Sequence, residues 1–410
     1  MGSNAIVGQS GGPTAVINAS LAGVFSACRE HGISRIYGMC NGVQGLLQER
    51  LIDLAQAFVT PEDIELLIRT PSSYLGSCRY KLPDAGKDEA VYEQLFAILE
   101  RYDIGYFFYI GGNDSMDTIL KLSDYAQKKG SDIRFIGVPK TIDNDLAVTD
   151  HTPGYGSAAK YIAATLKELV RDSTIYDLRS VTIVEIMGRN AGWLTAAAAL
   201  AEDEDCEGVA MICLPEVVFD PERFVREVER LQQHTPSLVI AVSEGIRVAD
   251  GRYVCELSED ALHVDSFGHK YLGGTARYLC TLLGERINTK TRAVELSTLQ
   301  RCAAHIASGT DIDEAFAAGS AAVGAALEGK TGMMVAFVRA PGEIYRCETA
   351  LHDIHGIANA EKTVPLEWID AEHYRMREPF MAYVRPLIDR ELFPIFRHGV
   401  PRHLRRKAQA

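Results

Sequence analysis

The sequence predicts an α/β protein: two lobes of mostly parallel sheet, covered by helices and facing one cleft. Short β-rich apolar runs recur along the chain, each followed by a glycine-containing turn and a helix-like period. Such units are too many for one ordinary sheet, which divides them between two lobes. With 410 residues, 47% of them hydrophobic, the chain can bury large cores without disulfides or structural metals.

The units follow in order. Ala5-Ile6-Val7 leads into Gly8-Gln9-Ser10-Gly11-Gly12-Pro13 and a helical pattern through Val16, Ile17, Leu21 and Val24. Tyr106 to Ile110 leads into Gly111-Gly112-Asn113-Asp114-Ser115 and a helix through Ile119 and Leu122. Arg134 to Val138 leads into Pro139-Lys140-Thr141-Ile142-Asp143-Asn144-Asp145. Val181 to Ile186 precedes Met187-Gly188-Arg189 and an alanine-rich helix near 191–201, and Leu238 to Val242 precedes Ser243-Glu244-Gly245. Ligands of open α/β folds bind at turns of this kind, beyond the carboxyl ends of the strands.

A first lobe is expected over 1–139 and a second over 140–290, the latter with an insertion at about 247–290. Residues 291–340 read as a return segment completing the lobes. Residues 341–410 read as an extension with helical patches such as Pro379 to Leu387.

The net charge of −13 argues against a nucleic-acid surface, which needs clustered Lys and Arg, though one pocket can still be basic. Nine scattered cysteines without a CxxC pair read as reduced thiols. No basic segment followed by an apolar run opens the chain, and no apolar run is long enough for a membrane span. A cytoplasmic location is therefore expected.

Chemistry concentrates at three turns. Gly11-Gly12 and Gly111-Gly112 each follow a strand and precede a helical pattern, where backbone N–H groups and a helix start attract anions. Neither is a Walker loop, because GxxxxGK[ST] is absent. The third turn sets Asp143 and Asp145 two residues apart directly after a buried strand. Phosphoryl transfer to an alcohol needs a carboxylate to accept the hydroxyl proton and cations for the transferring group. Asp143 suits the first task and Lys140 the second. The alternative is a polar turn whose side chains cap the next helix.

Together these stretches resemble phosphofructokinases across roughly residues 4–340. The matching segments are SGGPTAVINASL (10–21), YLGSCRY (74–80), IGGNDS (110–115), PKTIDND (139–145), VEIMGRNAG (184–192), SEGI (243–246) and TRAVELSTLQR (291–301), in the family's order and spacing. The resemblance implies the phosphofructokinase fold of two Rossmann-like lobes with a helical C-terminal extension.

It also implies roles. Asp143 matches the proton acceptor for the sugar 1-hydroxyl, and Thr141, Ile142 and Asp143 match a sugar-phosphate contact. Met187, Gly188 and Arg189 match the segment that touches the sugar phosphate and stabilises the transferring group. Glu244 matches the carboxylate that binds sugar hydroxyls. Arg292 and Arg301 match arginines that grip the 6-phosphate, one commonly reaching in from a neighbouring subunit, with Thr298, Leu299 and Gln300 between them. Gly11, Gly12 and Arg79 match the donor-phosphate side.

The donor is decided at Asp114 and Lys140. ATP-using members resemble GGDGS and PGTIDND, whereas this chain has GGNDS and PKTIDND. Asp114 stands where a glycine would admit the nucleotide's α-phosphate, and its carboxylate both fills that space and repels the anion. Lys140 replaces the other glycine and adds a cation beside the phosphoryl group.

Other positions depart from the family pattern. Asn113 stands where an aspartate commonly lies near magnesium, so Asn113 and Asp145 are the candidate ligands for Mg2+. Thr298 replaces a histidine of bacterial ATP enzymes. Ser180 replaces an inter-subunit arginine, with Arg179 adjacent, and Ala22 and Ser26 replace two effector-site arginines. Lys270 in the insertion is a further candidate phosphate contact, although a structural role suits it better.

The expected activity is reversible phosphorylation of fructose 6-phosphate by pyrophosphate, with Mg2+, in a homodimer or homotetramer that binds neither nucleic acid nor membrane. The alternatives are an ATP-dependent 6-phosphofructokinase, a sedoheptulose 7-phosphate kinase, and a catalytically silent sugar-phosphate-binding regulator.

Overall fold

The structure, a computed structural model, describes residues 2–175, 178–257, 272–357 and 361–406. Along the chain, β1 (Asn4–Gln9), β2 (Ile36–Met39), β3 (Leu51–Asp53), β4 (Ile104–Gly111) and β5 (Arg134–Pro139) come first. They are followed by β6 (Ser180–Ile186), β7 (Met211–Cys213), β8 (Ser237–Ser243) and β9 (Lys290–Glu295), then by β10 (Met333–Arg339) and β11 (Cys347–Asp353). The helices that position the site are α1 (Ile17–Glu30), α2 (Asn113–Lys129), α3 (Tyr155–Ser173), α4 (Gly309–Leu327) and α5 (Glu378–Val384).

One seven-stranded sheet runs β11-β10-β5-β4-β1-β2-β3, with antiparallel pairing only at its two edges. A four-stranded sheet, β9-β6-β8-β7, is parallel throughout. Parallel strands covered on both faces must be apolar on both, which is why β4 and β5 read as unbroken apolar runs. Ile17, Leu21 and Val24 of α1 pack with Ala318, Ala322 and Val323 of α4 on one face of the larger sheet. Met116, Ile119 and Leu122 of α2 cover Phe107 and Phe135 on the other. In the smaller sheet, Val184 and Ala241 meet Ala159, Ile162 and Leu166 of α3, while Phe224 and Leu283 pack on the opposite face.

The C-terminal extension holds the helix read at 379–387: α5 runs on into a 3-10 turn, Arg385–Ile388. It also supplies β11, which pairs antiparallel with β10 from Met333↔Asp353 to Arg339↔Cys347. That strand is half-exposed along its length, so it shows no apolar alternation in the sequence. Further along, Trp368 and Tyr383 pack around Trp193 in edge-on and tilted contacts, with ring centroids 5.3–6.2 Å apart.

Lys270 lies outside the described residues; the helix Thr275–Arg286 follows Gly273-Gly274. All nine cysteines are free thiols. Among the described residues, no helix is long and apolar enough to cross a membrane.

Candidate active site

The candidate side chains stand on segments that follow β1, β4, β5, β6, β8 and β9. In the loop after β1, Gly11 has φ +75°, its N–H reaches the Cys78 carbonyl at 3.5 Å, and its own carbonyl accepts from Ser77 Oγ at 2.6 Å. The helix after this turn begins only at Ile17, so Gly11-Gly12 is not a helix N-terminus. Gly112 is one: it is the N-cap of α2, with Asn113 and the exposed Asp114 in the first turn. The helix-start argument for anion binding therefore holds at the second glycine pair alone.

At the first pair the left-handed backbone of Gly11 is what favours glycine, and the two residues sit close beneath cationic side chains. A Cβ on Gly11 would lie 3.4 Å from Lys140 Nζ, and one on Gly12 3.3 Å from Arg301 Nη1. Lys140 is 2% exposed, and its ammonium donates to the Gly12 carbonyl at 2.6 Å. Exposed Arg79 directly follows Cys78.

The carboxylate turn is shaped by its own threonine. Thr141 Oγ1 accepts from the Asp143 N–H at 3.1 Å, and the Thr141 carbonyl accepts from Thr152 Oγ1 at 2.8 Å. Asn144 sits at φ +55°; its Oδ1 accepts from the Thr152 N–H at 3.1 Å and its Nδ2 donates to the Tyr383 hydroxyl at 2.8 Å. Ile142 is buried in the core. These carboxylates do not cap the next helix. α3 starts at Tyr155, and the N–H groups of Gly154 and Ser157 are taken by Asp311 of α4, each at 2.8 Å.

Beyond β6 and β8, Glu244 Oε1 accepts from the N–H groups of Gly188 (3.3 Å) and Arg189 (3.2 Å). Arg189 holds φ +51°, and its carbonyl fills the space that a Cβ on Gly245 would need. Glycine is therefore required after Glu244. Gln300 Oε1 accepts from the Met187 N–H at 3.3 Å, which joins the TLQR segment to the Arg189 loop. Thr298 and Leu299 are exposed beside it.

Charges crowd this cleft. Burial raises the Asp143 pKa, opposed by Arg189 and Lys140. Burial lowers Lys140 to about 8, Asp143 and Asp145 pulling the other way. Asp145 rises to about 7 through burial and the neighbouring Asp143, and Glu244 to about 8 through burial and Asp143. The structure thus gathers Gly11, Gly12, Lys140, Asp143, Asp145, Arg189, Glu244 and Arg301.

Arg301 lies against Gly12 and close enough to Lys140 to depress it. Arg292 stands apart. It is opposite Thr182 in the β9–β6 register, so it lies about 13 Å short of the end of β6. It faces Asp172 of α3 at 3.9 Å, with its side chain 57% exposed.

For a metal, the donor set fits. Asn113 Nδ2 donates to Asp145 Oδ2 at 3.3 Å, while Asn113 Oδ1 is buried with no hydrogen-bond partner among the described residues. That orphan oxygen beside a carboxylate suits a hard cation or its bound water. Elsewhere, His151, Glu314 and Cys347 bring ligand atoms within 4.8 Å of one another. There the His151–Glu314 hydrogen bond, at 2.7 Å, already closes the gap.

Sequence reasoning passed over the extension's part in this site. Glu361 bridges Leu146, and its charge bears on Asp143 and Asp145. The Lys362 N–H donates to the Asp145 carbonyl at 2.8 Å. No motif marks either residue; only the fold brings them here.

The phosphofructokinase family model matches residues 4–325. The pyrophosphate–fructose 6-phosphate 1-phosphotransferase of Methylococcus capsulatus is 44% identical over 408 residues, covering 97% of this chain and 94% of that protein. The protein of the same name from Halomonas elongata is 41% identical, covering 97% and 95%. The crystal structure of a pyrophosphate-dependent phosphofructokinase from Marinobacter aquaeolei superposes with a TM-score of 0.88 at 38% identity, covering 99% of this chain and 97% of that one. With its carboxylate turn, glycine loops and arginine segment on one matched stretch, the chain belongs to the phosphofructokinase family.

Proposed function

We propose that this protein transfers a phosphoryl group from pyrophosphate to the 1-hydroxyl of fructose 6-phosphate, reversibly. Fructose 1,6-bisphosphate and phosphate are the products. The observation that carries the reading is Lys140, a buried ammonium bonded to the donor-side Gly12 carbonyl and electrostatically paired with Asp143. Relatives at 41–44% identity carry this activity in their names.

In the forward direction the Asp143 carboxylate accepts the hydroxyl proton as the sugar oxygen bonds to phosphorus. The bond from that phosphorus to the bridging oxygen breaks, and phosphate leaves. Lys140 and Arg189 stabilise the charge spread over the transferring group. Glu244 and Met187–Arg189 hold the sugar, helped by Thr141, Ile142 and the segment Thr298–Arg301. Gly11, Gly12, Arg79, Asp114 and Lys140 form the pyrophosphate side. Lobe 1–139 serves the donor and lobe 140–290 the sugar phosphate, with 291–340 joining them.

The family uses a divalent metal, and we assign it as Mg2+. Asn113 and Asp145 would hold it, and it would neutralise charge on the pyrophosphate oxygens. The exposed Arg292 fits a role in the cleft of a second copy, in a homodimer or homotetramer in the cytoplasm. The donor assignment is tested by steady-state turnover of purified protein with pyrophosphate or ATP. Efficient turnover with pyrophosphate alone is expected; comparable efficiency with ATP overturns it.

A further inference from the structure

The family match ends at residue 325, yet the back of the catalytic turn is held by residues far beyond it. Lys362 Nζ donates to the Asp150 carbonyl at 2.7 Å and the Thr149 carbonyl at 3.1 Å, and lies 3.5 Å from Asn144 Oδ1. Its backbone grips both sides of the cleft. The Lys362 N–H reaches the Asp145 carbonyl at 2.8 Å, and its own carbonyl accepts from Trp193 Nε1 at 2.9 Å. Trp193 opens the short helix that follows the Met187–Arg189 loop. A second residue of the extension completes the cage: the Tyr383 hydroxyl accepts from Asn144 Nδ2 and donates to the Asp150 carbonyl, each at 2.8 Å.

We propose that Lys362, assisted by Tyr383, is a positioning residue that fixes the Asp143–Asp145 turn relative to the Arg189 loop. The C-terminal extension is thereby part of the catalytic apparatus. A cation at this point binds the Thr149 and Asp150 carbonyls where the chain turns sharply, with Asn144 and Val148 in left-handed backbone. The same ammonium lies 5.1 Å from the centroid of the Trp193 ring, so the side chain as well as the backbone joins the turn to the segment after the Arg189 loop, and their separation sets the distance between proton acceptor and transferring phosphoryl. Misplacement by about 1 Å costs on the order of 100-fold in rate, so such a tie acts on turnover more than on substrate capture.

The inference rests on the pyrophosphate-dependent reading and is tested with full-length protein. Lys362→Met keeps the stem and removes the ammonium. The expected result is a kcat lower by on the order of 10- to 100-fold, with KM for fructose 6-phosphate and pyrophosphate changed less than about threefold. The emission of Trp193 and Trp368, the chain's two tryptophans, should shift with it. A kcat within twofold of the parent, or a rise in KM alone, overturns the proposal whatever happens to Tm. If Lys362→Met does not fold, Tyr383→Phe decides: lowered kcat at unchanged KM supports it, and parental kcat overturns it. A parent without pyrophosphate-dependent turnover would instead refute the underlying activity.

Discussion

Lys140 Nζ lies 2.6 Å from the Gly12 carbonyl, so the end of β5 is pinned to the loop after β1 by the cation assigned to the transferring phosphoryl. Burial holds that ammonium near pKa 8 rather than 10.5. Turnover should therefore fall as pH rises through about 8, as Lys140 loses its proton. In Lys140→Met, kcat should drop by about 100-fold or more and this basic limb should vanish from the pH profile. The sign for stability is opposite. With a depressed native pKa, Lys140 makes folding more favourable as pH rises from about 8 to 10.5. Pyrophosphate should accordingly raise Tm more at pH 7 than at pH 9.

Asp143 is expected to carry the largest single kinetic effect. Asp143→Asn removes the proton acceptor but keeps the size and leaves the N–H that bonds to Thr141. The expected loss in kcat is about 100- to 10,000-fold, with Tm unchanged or raised, because a buried carboxylate is also lost. Steady-state kinetics and a thermal melt on one preparation decide it; turnover within tenfold of the parent removes Asp143 from the role.

Asp114 reports on donor choice. It stands exposed in the first turn of α2, and on the proposed reading its carboxylate repels a nucleotide's additional phosphate. Asp114→Gly should yield measurable ATP-dependent turnover while weakening pyrophosphate use. Calorimetry with ATP gives the direct readout, and no gain of binding would show that the exclusion lies elsewhere.

Glu244 trades stability for binding. Its pKa, raised to about 8, means that the native state gains from the protonated form. That contribution is full below the ordinary value of 4.5 and is lost as pH rises through about 8. Glu244→Gln keeps an acceptor for the Gly188 and Arg189 N–H groups without a charge. The ligand-free variant should be more stable at pH 8, on the order of 1 kcal/mol, with weaker binding of fructose 6-phosphate. Melts across pH 5–9 test the stability, and isothermal titration tests the affinity.

Much of this architecture was legible in the chain because parallel strands buried on both faces leave apolar runs, and Ala5–Val7, Tyr106–Ile110 and Leu238–Val242 are such runs. The carboxylate turn was legible for a similar reason, since PKTIDND packs its chemistry into adjacent positions. β11 was not, because an edge strand facing solvent carries no alternation. Asp311, Lys362 and Tyr383 were hidden for another reason. Each meets its partner across more than 150 residues of chain, a separation that no local pattern encodes. Arg301 shows the limit of motif reading: its place in a segment did not reveal that its guanidinium lies over Gly12.

The larger sheet takes β1 to β5 from the first 139 residues and its last two strands from 333–353, whereas the smaller sheet is drawn wholly from 180–295. The order of synthesis therefore cannot be the order of completion. As the chain leaves the ribosome, β5 must wait, one flank unpaired, for nearly two hundred residues before β10 arrives. The second lobe, made later, has all its strands in hand first. Nascent chains stopped before residue 333 should thus expose an open sheet edge that invites chaperones or self-association, and truncation from the C-terminus should damage the half of the molecule made earliest.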